Sequence, residues 1–246
     1  MPRLTVIIPA LDFSGPLLET VNSVHQDGFT VIIVCPHSAM CTLKKHFYNT
    51  DWVDLVVEEG RGIYAAFNSG LKAAKSDFVM FAGAGDYINA SVVSELLQNG
   101  NAAREQINFG FVKSDGVLRK NLCRKPSLLR LDSLIPSHSV GMLISTKLHK
   151  KIGFYKTEFP ISADYDFLLR AIDLGVNFNL LDGVFGFWPS GGASSQQSGF
   201  KKSMEHRNIR KANGIKFYNQ LFCLNLLDFI FWARVKNFGK RVLNLR

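Results

Sequence analysis

Cysteine is scarce: the 246 residues hold four, Cys35, Cys41, Cys123 and Cys223, and no two of them form a C-x-x-C pair. That spacing removes the basis for a disulfide framework or a zinc knuckle and fits a reducing cytoplasm. No stretch reaches the roughly 18 uninterrupted apolar residues of a membrane-spanning helix, so the body of the protein is expected to be soluble. Met1-Pro2-Arg3 leads straight into Leu4-Thr5-Val6-Ile7-Ile8, without the length or small-residue cleavage pattern of a secretory signal. No segment repeats, which excludes a repeat array. The net charge of +9 would attract nucleic acid, an anionic membrane or a phosphorylated substrate alike. No nucleic-acid-reading motif accompanies it, and a nucleic-acid partner is not expected.

What is present is apolar sequence, 47% of the chain, enough to bury one sizeable core. Runs at 4–8, 30–34, 53–57 and 78–81 are continuously apolar rather than alternating, the mark of strands buried on both faces. Between them Leu17, Leu18, Val21 and Val24 follow Gly15-Pro16 at helical spacing, and Ile63, Phe67 and Leu71 follow Gly62. Alternation of strand and helix to about residue 100 predicts a parallel sheet whose ligands bind outside the carboxyl ends of its strands. Beyond that, Ile107 to Val112 and Val140 to Ser145 are expected to be strands of a mixed sheet, and Ala163 to Leu174 a charged helix. Trp188 to Gly199, dense in Gly and Ser, is expected to be a loop over a site or a connector. The last thirty or so residues combine Phe217, Leu221, Phe222, Phe229, Ile230 and Trp232 with Arg234, Lys236, Lys240, Arg241 and Arg246. Such a segment suits the interface of an anionic membrane, and equally a helix packed on the domain or on a second copy in a homodimer.

Four places carry candidate chemistry. Asp86 follows the apolar run 78–81 in the small-residue segment Ala82-Gly83-Ala84-Gly85, where a carboxylate could hold a divalent cation against a diphosphate or simply form a turn. In Ser162-Ala163-Asp164-Tyr165-Asp166-Phe167-Leu168-Leu169-Arg170, Asp166 can pair with Arg170 four residues on. One carboxylate of this cluster could instead face a cleft as general base. His138, after Pro136-Ser137, suits an acceptor pocket or an ordinary structural hydrogen bond. Arg61-Gly62 opens a helix and could meet a phosphate.

In order, Thr5-Val6-Ile7-Ile8-Pro9, Arg61-Gly62-Ile63-Tyr64-Ala65-Ala66-Phe67-Asn68-Ser69-Gly70, Phe81-Ala82-Gly83-Ala84-Gly85-Asp86, Pro136-Ser137-His138, Ala163-Asp164-Tyr165-Asp166 and Gly191-Gly192-Ala193-Ser194-Ser195 resemble the inverting family 2 glycosyltransferases of bacterial surface-polysaccharide synthesis. The resemblance spans roughly residues 3 to 200. It implies an α/β glycosyltransferase A fold, a Rossmann-like, mostly parallel central sheet flanked by helices. The catalytic domain would be 1–200, with a nucleotide-binding half at about 1–100 and an acceptor half at about 101–200; 201–246 would be a basic, aromatic helical extension. It implies transfer of a sugar from a nucleotide-sugar donor to a hydroxyl of a saccharide or lipid-linked saccharide acceptor, with inversion. Asp164 would be the catalytic base. Pro9, Ala10, Leu11, Arg61, Gly62, Asn68, Gly85 and Asp86 would contact the donor, His138 and Asp166 the acceptor, and Asp86 a divalent cation, Mn2+ or Mg2+. The expected location is cytoplasmic, with peripheral contact to the inner face of the cell membrane through 215–246.

The pattern also departs from the family. Cys35-Pro36-His37-Ser38 stands where an aspartate is usual, Gly60 and Ala65 replace residues often acidic, and Gly83 replaces the first polar member of the metal motif. These losses leave metal dependence open. They also raise an alternative, a weakened nucleotide-sugar or saccharide-binding homologue acting as a partner protein.

Overall fold

A computed structural model of the chain describes residues 3–119, 139–189 and 199–215. The apolar runs become strands. β1 (Leu4–Pro9), β2 (Phe29–Cys35), β3 (Val53–Val57) and β4 (Phe78–Phe81) lie parallel in the order β3-β2-β1-β4. β6 (Gln106–Ser114), β8 (Met142–Ser145), β9 (Asn177–Trp188) and the short β5 (Tyr87–Ile88) extend the sheet as β8-β6-β9-β5, and β7 (Val117–Arg119) pairs with β6. β8 runs antiparallel to β4 and β6, whereas β6 and β9 are parallel to each other, which gives the mixed second half.

Because successive strand residues face opposite sides, the sheet divides its apolar residues between two layers. Val6, Ile8, Val31, Ile33, Phe78 and Met80 pack against α1 (Gly15–Ser23), α2 (Met40–His46) and α4 (Ala90–Gln98). Ile7, Ile32, Val34, Val79 and Phe81 pack against α3 (Ile63–Ala73), α5 (Thr146–Ile152), α6 (Ala163–Asp173) and α7 (Gly199–Ala212). Connections β1-to-β2 and β2-to-β3 use the first face, and β3-to-β4 uses the second. The chain therefore reverses direction between β1 and β4, and a crevice opens there at the carboxyl ends. Gly70 permits the close approach of α3: a Cβ at this position would collide with Ile7 and press on Val34.

Two expectations need correction. The run 53–57 is not buried on both faces; β3 pairs only with β2 among the described residues, and its edge position leaves Asp54 and Val57 exposed. A twelve-residue strand, β9, occupies 177–188, so Trp188, expected to open a loop, instead ends a strand; positions 190–198 of that expected loop lie outside the described residues. Within 201–215, the described start of the expected C-terminal extension, Ile209 of α7 is fully buried in the same core as α3 and α6. Positions 216–246, with the membrane or dimer expectation attached to them, lie outside the described residues. No described helix is long and apolar enough to cross a membrane.

The second core layer holds an unusual polar group. His149 on α5 is completely buried, its ring 4.4 Å from that of Phe167 and 5.1 Å from that of Tyr155, and neither ring nitrogen has a hydrogen-bond partner among the described residues. Burial, with a smaller push from the Arg170 charge, drives its pKa down to about 3. Unfolding exposes it and restores a pKa of about 6.5. Below that value the unfolded chain binds a proton that the folded chain refuses, so His149 stability is complete at higher pH and is lost as pH falls from 6.5 toward 3. The loss is at most about 1.4 kcal/mol per pH unit. Urea unfolding at pH 7 and pH 5 should show a smaller acid-induced loss in His149→Phe than in the parent chain.

Candidate active site

The turn between β4 and β5 is shaped by its glycines and by α1. The Gly83 N–H donates to Asp86 Oδ2 at 2.7 Å, and Gly85 adopts φ of +97°, where a side chain would be strained. Thr20 Oγ1 accepts from the Gly85 N–H at 2.8 Å and donates to the Pro16 carbonyl at 3.0 Å. Ser23 Oγ accepts from the Ile88 N–H at 3.0 Å. Asp86 is thus buried and oriented just beyond the carboxyl end of β4. Across the crevice, Pro9 ends β1, Ala10 is tied to the Val34 carbonyl by a 2.9 Å hydrogen bond, and Leu11 is 83% exposed.

A second group forms where α3 meets α6. Gly62, at φ of +90°, caps the start of α3 without a side-chain hydrogen bond. Arg61 beside it is exposed and has no hydrogen bond or ion pair among the described residues. One turn in, Tyr64 Oη lies 3.0 Å from Asp164 Oδ1 and 3.2 Å from the Ile161 carbonyl, with one proton to give. The Tyr165 N–H donates to the same Asp164 oxygen at 2.9 Å. Burial pushes the Asp164 carboxyl above its ordinary pKa, against the opposing hydrogen bonds from Tyr64 and Tyr165 and the Lys202 charge. Burial and the neighbouring Asp164 charge push the Tyr64 phenol well above its usual range, so it remains a donor. Tyr64 follows β3 through Gly62, and Asp86 follows β4. Asp164 and Asp86 therefore occupy the same carboxyl edge of the sheet.

Other expected site residues have different surroundings. Asp166 is fully buried: Arg170 Nε donates to Oδ2 at 2.8 Å, Asn213 Nδ2 donates to Oδ1 at 2.9 Å, and Lys156 Nζ lies 3.3 Å from Oδ1. Both oxygens are engaged within the fold, in part through the four-residue pairing with Arg170 that the sequence also offered. Asn68 likewise spends its amide on the fold, donating to the Tyr155 carbonyl at 2.8 Å and accepting from the Tyr155 N–H at 2.9 Å. Asn68 thereby bridges α3 and the segment after α5. His138 and Gly191 to Ser195 lie outside the described residues. Sequence reasoning assigned no role to Tyr64, although it stands inside a quoted motif. It also missed Thr20, whose only signal is a hydroxyl on the apolar stripe of α1.

Asp86 is one carboxylate, and no group of three His, Cys, Asp or Glu side chains among the described residues is arranged to hold a metal. A single oriented carboxylate does fit a hard cation that takes its remaining ligands from diphosphate and water.

No family model matches the sequence, and no curated protein matches it. Solved structures do. TarS of S. aureus, residues 1–349, superposes with a TM-score of 0.65 at 19% identity over 87% of this chain and 64% of that one. The same protein in complex with UDP-GlcNAc gives 0.62 at 19% identity over 84% and 65%. The mannosyltransferase PcManGT from Pyrobaculum calidifontis, in complex with GDP-Man and Mn2+, gives 0.59 at 14% identity over 86% and 64%. The chain shares their fold. It spans less than two thirds of their length, and the mixed α/β architecture expected from the sequence is the one observed.

The buried ion network is testable by itself. Asp166→Ala leaves Arg170 and Lys156 without their carboxylate and should cost about 3 kcal/mol or more of stability, measured by chemical denaturation at pH 7.

Proposed function

We propose that this chain is a glycosyltransferase that moves a sugar from a nucleotide-sugar donor to an acceptor hydroxyl with inversion. The observation that carries the reading is the Asp164 carboxylate, half-buried and hydrogen-bonded by Tyr64, on the same sheet edge as the Asp86 turn. Fold similarity to proteins solved with UDP-GlcNAc and GDP-Man supports it.

In this reading the donor diphosphate occupies the crevice between β1 and β4, with Pro9, Ala10 and Leu11 along one side and Gly85 and Asp86 along the other. Arg61, whose guanidinium is uncommitted, approaches its phosphates. Asp86 would hold a divalent cation, Mn2+ or Mg2+, jointly with the diphosphate, and that cation supplies charge neutralisation for the leaving group. Asp164 takes the proton from the acceptor hydroxyl as that oxygen bonds to the anomeric carbon and the nucleoside diphosphate departs from the opposite side. A carboxylate whose affinity for protons is raised by burial is, in its charged form, a stronger base than a solvated one. Asp166 supports this arrangement from behind, tying α6 to the segment after α5 through Lys156 and to the end of α7 through Asn213. The acceptor is a saccharide or lipid-linked saccharide of cell-surface polysaccharide synthesis, met at the cytoplasmic face of the membrane. The aromatic and basic composition of 216–246 supports that location.

A thermal-shift screen of nucleotide diphosphates and nucleotide sugars, with and without Mn2+ or Mg2+, identifies the donor by a raised melting temperature. With that donor, Asp164→Asn should lower kcat by roughly 10²- to 10⁴-fold while leaving donor-induced stabilisation intact. Equal turnover in the variant removes Asp164 from the mechanism. Donor binding without turnover across a broad acceptor panel would favour a binding protein instead.

Tyr64→Phe tests the base through its titration. The lost hydrogen bond stabilised the charged form, so the Asp164 pKa rises and the acid limb of the kcat profile moves to higher pH. Activity of the variant should fall further behind the parent at pH 6 than at pH 8. An unshifted acid limb would separate Tyr64 from the titrating group.

A further inference from the structure

Helix α6 begins in an unusual way. Its N-cap, Ser162, makes no capping hydrogen bond to its own helix, although the first N–H groups of a helix have no intrahelical partners. Ser162 Oγ turns instead to His206 Nε2 of α7, 3.0 Å away. Glu205, the preceding residue of α7, accepts through one oxygen from the N–H groups of Ile161, at 2.9 Å, and Ser162, at 2.6 Å. Glu205 and His206 are both nearly buried. Burial drives the His206 pKa down to about 3, with further pushes from Lys202 and Arg210, so its imidazole is neutral. The ring packs on Tyr165 with centroids 4.8 Å apart.

We infer that Glu205 is a positioning residue for Asp164: a carboxylate from α7 caps α6 in trans and fixes the Ile161–Ser162 backbone from which the base projects. This rests on the glycosyltransferase reading, because it concerns the orientation of the base in that reading. The geometry gives the clamp two links to the base. The Ile161 carbonyl lies within reach of the same Tyr64 hydroxyl that serves Asp164, so moving Ile161 disturbs the base's hydrogen-bond partner. The Ser162 carbonyl accepts from the Tyr165 N–H at 3.0 Å, and that N–H also serves Asp164 Oδ1. Loss of the clamp therefore loosens both donors that aim the carboxylate. The anchorage of α7 is independent of the clamp, since Ile209 is fully buried and Asn213 holds Asp166. Thus Glu205 can be altered while its helix stays docked.

Misplacing a reacting group by about 1 Å can cost on the order of 100-fold in rate. Three variants of the full chain, assayed with the donor found in the screen, separate positioning from general stability. Glu205→Ala should lower kcat roughly 10- to 100-fold with donor KM within about twofold. Glu205→Gln, which keeps an acceptor oxygen at the same reach, should recover most of the turnover. Glu205→Asp, shorter by one methylene, should fold and behave like the alanine variant, which keeps the test valid if Glu205→Ala does not fold. Hydrogen exchange should show faster exchange at the Ile161 and Ser162 amides in the alanine and aspartate variants. Wild-type kcat in a folded Glu205→Asp chain, or a glutamine variant as impaired as the aspartate one, overturns the positioning role. If Asp164→Asn retains turnover or no donor turns over, the glycosyltransferase reading has failed and the role falls with it. Slow Asp164→Asn turnover alongside undiminished Glu205 variants defeats the clamp alone.

Discussion

The architecture depends on a constraint of parallel sheets: each crossover must leave by one face or the other, and a strand order that grows in both directions forces the change. Here β2 and β3 are added on one side of β1 with their helices on one layer. β4 is added on the other side, and α3 must then cover the opposite layer. That single change creates the crevice between β1 and β4. It also delivers the first turn of α3, and Tyr64 with it, to the layer that contains α6. The meeting of Tyr64 with Asp164 is a consequence of chain topology before it is a feature of chemistry.

Two carboxylates on α6, separated by one residue, show how packing assigns roles. Asp166 turns inward and is neutralised by Arg170 and Lys156, with Asn213 completing its hydrogen bonds. A buried charge is tolerable only with such complete pairing. Asp164, in the first turn of the same helix, accepts its described hydrogen bonds from a phenol and a peptide N–H, with no cation in direct contact among the described residues. Burial there raises its affinity for a proton instead of being offset by an ion pair. The ion-paired carboxylate holds the helix, and the other keeps a raised proton affinity.

The aspartate turn follows another logic. Glycines at 83 and 85 leave little side-chain bulk, and α1 compensates by supplying Thr20 and Ser23 as hydrogen-bonding anchors. A polar residue at 83 would have offered a second oxygen; the chain offers an N–H to Asp86 instead. The turn thereby keeps its shape with one carboxylate, and any cation there would depend on the substrate's own phosphates for most of its ligands.

The strands β1, β2 and β4, the helices α1, α3 and α6, and the Asp86 turn were legible in the sequence, because burial of an apolar run and the start of a helix leave local marks. β9 was not legible. Its exposure alternates irregularly, and Gly183 and Gly186 break the apolar pattern because a Cβ would meet Val92 and the Tyr87 carbonyl, contacts distant along the chain. The Asp166 to Arg170 pair was readable as a four-residue spacing, but not the depth at which it is buried. Nothing in the sequence joined Asp164 to Tyr64, one hundred positions away, or the start of α6 to Glu205 on α7. Local composition determined which residues form strands and helices. Only the folded chain decided which carboxylate is held by ion pairs and which is not, because a side chain's partners and desolvation are set by whatever distant segment packs against it.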